Sequence, residues 1–203
     1  SKSDLYQLLT NLGTPIPSLS VIKLGCELPI CNEEDTIAPD VVEILDQRYI
    51  LYVSTIERRK NHETLYRAYA LLVEQGITSL PLLVFVGMPG WGVNDFMADL
   101  QFDYRIKPHI KVLNHVADSD LVRLYKNAFF TVYPSLYEGW GLPVAESLAA
   151  GKFCLASCSA SIPEVGGDLI EYLPPLDVSG WSDRLNYFFS HPDQVLKREE
   201  LIL

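Results

Sequence analysis

The chain has 203 residues, 48% apolar and 21% charged, an ordinary globular composition with material for a sizeable core. A formal charge of −10 argues against nucleic acid as a partner, because phosphate backbones are met by basic surfaces. Four cysteines are too sparse for a disulfide scaffold and fit a reduced cytoplasm; no run approaches the ~18 apolar residues of a spanning helix, and the first residues carry no signal-peptide pattern.

Residues 1–48 read differently from the rest. Leu5, Leu8 and Leu9 predict a short helix, Leu19 to Leu24 a strand, and Gly25 to Asp40 a linker. Cys26 and Cys31 lack a matching Cys/His pair at zinc-finger spacing. From residue 49 short apolar runs alternate with helix-period segments. Tyr49 to Ser54 predicts a buried strand, followed by a helix capped at Asn61, with Leu65, Ala68, Tyr69, Leu72 and Val73 as its apolar stripe and Gly76 as its stop. Strands are then expected at 82–86, 109–113, 128–133, 153–156 and 170–173. Helices are expected at 93–104, 119–127, 143–150 and from an Asp177 cap to Phe189. Cys154, in an apolar strand, reads as a small buried hydrophobe. Leu196 to Leu203 resembles the start of a helix without a finish, and both ends look cut from something longer.

Strands separated by helical crossovers predict an α/β fold, a Rossmann-like parallel sheet with helices on both faces. Ligands bind beyond the carboxyl ends of such strands. Arg59, Lys60, Gly87 and Glu138 each follow a strand directly, so they should gather on that edge.

The most informative stretch is Tyr133 to Ala150. It reads as a strand end, a turn bearing Gly139, Trp140 and Gly141, and a helix opened by Pro143. Free amides at a helix start form an anion site. Glu138 and Glu146, with seven residues between them, flank it as acceptors for sugar hydroxyls. A phosphate seat between two acceptors suits a sugar joined to a nucleotide. The bland alternative for Glu146 is a first-turn carboxylate complementing the helix dipole; for Arg58-Arg59-Lys60 it is a solvated turn. Gly87 to Gly92 has the wrong glycine order for a dinucleotide fingerprint and reads as a loop near a ligand. Asp118-Ser119-Asp120 could hold a divalent metal on a diphosphate, but its place before Leu121, Leu124 and Tyr125 favours helix capping. His62, His109, His115 and His191 show no metal-ligand spacing; His115 follows a strand on the expected ligand edge.

From about Ile50 to Asp177 the chain resembles the C-terminal, nucleotide-binding domain of retaining glycosyltransferases with the GT-B fold, the large family four group, above all its mannosyltransferase-like bacterial members. Three motifs in order carry this: Tyr52 to Asn61, Glu138 to Pro143 through Glu146, and Ser161-Ile-Pro-Glu-Val165. The resemblance implies that Arg59 and Lys60 neutralise a donor diphosphate and that the amides of Gly139, Trp140, Gly141 and Leu142 hold phosphate and sugar oxygens. It further implies that Glu138 contacts sugar hydroxyls, that Glu146 accepts from the ribose, and that Leu113 to Val116, including His115 and Val116, lies against the base. No metal and no cofactor are expected, the nucleotide-diphosphate sugar being a substrate. Where many relatives place an arginine after the first strand, this chain has Ser54-Thr55-Ile56, which shifts the diphosphate's charge onto Arg59 and Lys60.

By this resemblance residues 1–48 are the closing segment of a missing N-terminal domain plus linker, 49–190 the nucleotide-sugar-binding domain, and 191–203 the start of a truncated helix. The missing half would bind the glycan or lipid-linked acceptor, and the chain alone would bind donor weakly and catalyse nothing measurable. A parent that builds cell-surface polysaccharide or lipopolysaccharide in the cytoplasm, in peripheral contact with the inner face of the membrane, is expected. Two rivals stand beside this reading: a nucleotide-sugar epimerase or metal-dependent transferase using Asp118 and Asp120, and a non-catalytic module that binds a sugar nucleotide.

Overall fold

The structure, a computed structural model, describes residues 2–22, 24–29, 31 and 35–203. Six strands, β1 (Tyr49–Val53), β2 (Leu82–Val86), β3 (Ile110–Leu113), β4 (Phe130–Tyr133), β5 (Cys154–Ser157) and β6 (Glu171–Leu173), form one sheet. Their order is β3-β2-β1-β4-β5-β6 and every pairing is parallel. The expected Rossmann-like sheet is therefore present. Successive strands run outward from β1 to one side and from β4 to the other, so the winding reverses between β1 and β4. At such a switch point the loops diverge and leave a crevice at the carboxyl edge.

The alternation of side chains shows why β1 and β2 carry no charged residue. Ile50, Tyr52, Leu83 and Phe85 face one core, with Phe130, Leu65, Tyr69, Trp181 and Phe188. Tyr49, Leu51, Val84 and Val86 face a second, with Val41, Ile44, Leu124 and Tyr125. Both faces are covered, so an uninterrupted apolar run is what burial demands. Buried tyrosines still satisfy their hydroxyls: Tyr49 donates to the Leu124 carbonyl at 2.7 Å and Tyr69 to that of Pro81 at 3.1 Å.

The helices are α1 (Lys2–Asn11), α2 (Pro39–Leu45), α3 (His62–Glu74), α4 (Asn94–Phe102), α5 (Asp118–Asn127), α6 (Leu142–Ala149), α7 (Ile162–Gly166), α8 (Val178–Ser190) and α9 (Pro192–Glu199). Asp177 caps α8 as expected, its carboxylate accepting from the Gly180 amide at 2.9 Å. Cys154 is buried, and burial pushes its thiol up to about 12. The expected helix at Leu5 to Leu9 forms as α1, with none of its residues buried.

Three expectations need correction. The strand at Leu19 to Leu24 does not form among its described residues; Lys23 lies outside them, as do Ser1 and, in the linker, Ile30 and Asn32 to Glu34. The linker ends in α2, which buries Val41 and Ile44; Pro39 opens it, and the short spacing hid its period. The C-terminal helix starts at Pro192 and closes at Glu199, rather than starting near Leu196. The family-like Ser161 to Val165 segment is itself a short helix, α7, whose Ile162 is buried behind the Gly139–Gly141 turn.

Candidate functional site

The loops after β1 and β4 are tied together before any ligand is considered. Beyond β1 the chain makes a single 3-10 turn at Arg58–Lys60 and reaches Asn61 in the left-handed region, φ 59°. Asn61 precedes α3 as expected, but its side chain makes no cap bond to the helix backbone. Its amide donates instead to the carbonyls of Pro134 at 2.9 Å and Pro175 at 2.7 Å, while its oxygen accepts from Thr64 at 3.0 Å. The Arg59 carbonyl accepts from the Leu136 amide at 2.8 Å and the Ser135 hydroxyl at 3.1 Å. Tyr52 donates to the Lys60 carbonyl from below. Buried polar groups paired this fully make a rigid floor.

On that floor sits Glu138, 7% exposed. One carboxylate oxygen accepts from Lys60 Nζ at 2.6 Å, Ser135 Oγ at 2.6 Å and Tyr133 Oη at 3.0 Å. The other lies 3.0 Å from Arg59 Nη1. Arg59 also donates to the Tyr137 carbonyl at 2.7 Å and to Glu57 at 2.8 Å, and Lys60 donates to Tyr133 Oη at 3.1 Å. Burial pushes the Glu138 carboxyl up, but the hydrogen bonds from Lys60 and Ser135, with the Lys60 charge, outweigh it and hold the group below its usual range. Glu138 is thus an ionised, oriented acceptor. The Tyr133 phenol is held far above its ordinary value, first by burial and then by coupling to the buried Tyr52 phenol and by the Glu138 charge, so it donates.

The structure brings Glu138, Arg59 and Lys60 together across 78 residues of sequence. Tyr133, the last residue of β4, and Ser135, two residues on, complete the cluster; both fall in the Tyr133 to Ala150 stretch but were missed as site residues.

The neighbouring turn is open to solvent at Gly139 and Leu142, with Trp140 half-buried and Gly141 buried. The need for a glycine holds at Gly141, φ 103°, but not at Gly139, where the backbone is ordinary and a Cβ would meet nothing within 4 Å. Helix α6 begins at Leu142, with Pro143 in its first turn. The amides of Gly139, Trp140, Gly141 and Leu142 donate to no protein acceptor among the described residues. Trp140 Nε1 is likewise buried without an acceptor. Free donors beside two cations attract anions and oxygen-rich ligands.

Glu146 is the fifth residue of α6, beyond its first turn, so the dipole explanation does not apply to it. Half-buried, it accepts from Tyr125 Oη at 2.7 Å and, among the described residues, shares no hydrogen bond with the Glu138 cluster. Burial and then the Glu146 charge raise the Cys26 thiol, which places the 24–29 segment beside it. His115 and Val116 lie on the β3–α5 loop. His115 is exposed, with φ 56°, an unusual conformation for a residue other than glycine, and Val116 packs on the second core. No hydrogen bond among the described residues joins either to Glu138.

Asp118 and Asp120 lie in the first turn of α5, with no side-chain cap bond there. Asp120, 2% exposed, accepts from the Ala38 amide at 3.1 Å and pairs with Arg123 at 3.0 Å, so it caps α2 and fastens it to α5. A carboxylate spent in this way is a poor metal ligand. Gly87 is explained by close approach: a Cβ there would lie 2.0 Å from the Ser54 carbonyl oxygen.

Switch-point geometry, a cation-held carboxylate and an open helix start define the class, a Rossmann-like domain of the GT-B type. Residues 33–201 match the family described as Glycosyl transferases group 1, and the chain belongs to that family. It is 34% identical over 185 residues to O-antigen chain mannosyltransferase B of Escherichia coli, covering 90% of this chain and 47% of that protein. Among solved structures it resembles sucrose-phosphate synthase from Thermosynechococcus elongatus, with TM-score 0.73, 19% identity, all of this chain and 53% of that one. It also resembles a mutant of S. aureus TarM in complex with fondaparinux, alpha-GlcNAc-glycerol and UDP, with TM-score 0.76, 11% identity, all of this chain and 38% of that one. The chain thus spans less than half the length of that mannosyltransferase. No helix among the described residues is long and apolar enough to cross a membrane.

Proposed function

We propose that the chain is the donor-binding domain of a retaining glycosyltransferase that moves a hexose, mannose being favoured, from a nucleoside diphosphate to a glycan or lipid-linked acceptor. The observation that supports this most is the Glu138–Lys60–Arg59 cluster at the β1/β4 switch point, beside the free amides of α6. Without ligand the two cations neutralise Glu138. A donor enters by exchange: its diphosphate takes Arg59 and Lys60, and its sugar hydroxyls take the oxygens of Glu138. Arg59 is half exposed and can turn to a phosphate at small cost, whereas Lys60 keeps its place between Tyr133 and the ligand.

As the bond to the sugar breaks, negative charge grows on the departing diphosphate. Two cations and a helix start aimed at that charge stabilise it without a metal ion. Glu146 would accept from the ribose, displacing Tyr125, and the main chain of His115 and Val116 would meet the base. The mannose preference rests on the bacterial relative's name, and retention on the family resemblance. In this reading residues 49–190 form the donor domain and the reacting end of the acceptor is held by another part of the parent protein. That parent works in the cytoplasm on surface polysaccharide, with peripheral membrane contact.

The test is transfer by the full-length protein from a panel of nucleoside diphosphate hexoses, with and without chelator, and with anomeric analysis of the product. Glu138→Ala should lower transfer about 100-fold or more, on the scale of losing one preorganised electrostatic contact. Inversion of the anomer, or loss of activity with chelator, would contradict the mechanism; no transfer from any donor would favour a binding module.

A further inference from the structure

The loop that leaves β2, Gly87 to Gly92, is pinned to the exit of β1. The Ile56 amide donates to the Met88 carbonyl at 2.9 Å, the Gly90 amide to the Ile56 carbonyl at 2.7 Å, and Ile56 and Pro89 form an isolated parallel bridge. A Cβ at Gly90 would come within 3.0 Å of Thr55, so the loop hugs its neighbour closely. Held on this support, Trp91 is 90% exposed. Together with Glu57, Arg58, Arg59 and Gly92 it lines an open hollow of about 330 Å³.

The loop backbone that carries Trp91 is held in place, and its ring offers water an apolar plate on which another ring can stack. The rim defines what fits. An apolar plate bordered by a carboxylate and two guanidinium groups suits a ring with one face of C–H bonds and an edge of hydroxyls. A lipid surface or an apolar protein face would have to desolvate Glu57 and both arginines. The hollow also adjoins the site above: the Arg59 guanidinium reaches Glu138 through one nitrogen and Glu57 through another. Its occupant therefore lies one guanidinium away from the sugar that Glu138 would hold.

We propose that this hollow is a subsite for a pyranose ring of the glycan acceptor, with Trp91 as the stacking plate and Glu57 and Arg58 taking ring hydroxyls. It rests on the glycosyltransferase reading and adds a second sugar to it. The test uses the full-length protein, with the donor it accepts and mannotriose as acceptor. Trp91→Ala and Trp91→Leu should raise the acceptor KM about tenfold, with kcat and donor KM within about twofold of wild type, and Trp91→Tyr should restore most of the loss. An unchanged acceptor KM overturns the proposal. So does rescue by leucine, a change confined to donor KM, a melting temperature lowered by several degrees in Trp91→Ala, or loss of binding to phosphatidylglycerol vesicles. If wild type transfers no sugar at all, the underlying reading fails instead. The hollow is then tested by titrating mannotriose against tryptophan fluorescence: a response lost in Trp91→Ala supports it, and no response in wild type overturns it.

Discussion

Lys60→Met keeps the aliphatic stem of Lys60 and removes its charge, which isolates the central contact of the site. Lys60 and Glu138 have side chains only 12% and 8% exposed and meet at 2.6 Å. Breaking a buried pair on one side costs about 3–5 kcal/mol, because the remaining charge stays buried and unpaired. Here Glu138 retains Arg59, Ser135 and Tyr133, so the expected loss is about 2–4 kcal/mol, or roughly 4–15 °C in melting temperature for a domain of this size. Glu138→Gln should cost a similar amount, since the Lys60 ammonium keeps only Tyr133 and a neutral amide. The double variant removes both stranded charges, so the two losses should fall short of additivity by about 1–3 kcal/mol. Urea unfolding of the four proteins at pH 7 measures this directly. A coupling below about 0.5 kcal/mol, the range of an exposed ion pair, would show that the pair is solvated and would refute the claim of a preorganised carboxylate.

Lys60→Ala should weaken binding of a nucleoside diphosphate about 10–100-fold, as loss of one charge-assisted hydrogen bond implies, with less than a twofold change for the bare nucleoside; calorimetric titration giving equal losses would contradict the diphosphate role. Buried His62 is held down to about 3, by burial first and the Lys60 charge second. Its imidazole takes a proton in the unfolded chain below its ordinary value near 6.5 but not in the folded one. Stability is therefore full above that value and falls as pH drops toward 3, by about 2 kcal/mol at pH 5. Denaturation at pH 7 and pH 5 should show this loss in wild type and not in His62→Gln, and parallel curves would disprove it. Gly87→Ala places a methyl against the Ser54 carbonyl and should destabilise by about 1–3 kcal/mol in thermal melts, whereas an unchanged melting temperature would mean that the β1 and β2 exits are looser than described.

Much of this molecule is legible along the chain because its signals are local. Tyr49 to Val53 and Leu82 to Val86 declare strands covered on both faces, the stripe from Leu65 to Leu72 declares a helix, and Asp177 marks a start. The Tyr133 to Ala150 stretch joins strand, turn and helix without interruption, so its open helix start and family likeness can be read in order. What the linear order could not decide was which partner each charged or polar group would take. Glu138 meets Lys60 only because β1 and β4 are neighbours at the reversal of winding, and Asp120 turns away from any metal role only because α2 packs against α5. Asn61 becomes a tie between two loops rather than a cap for the same reason. Periodicity and turn chemistry act over a few residues and survive in a string of letters. The charge state of a carboxylate depends on how much water is removed from it and on which cations replace that water, and only the packed sheet with its converging loops sets both.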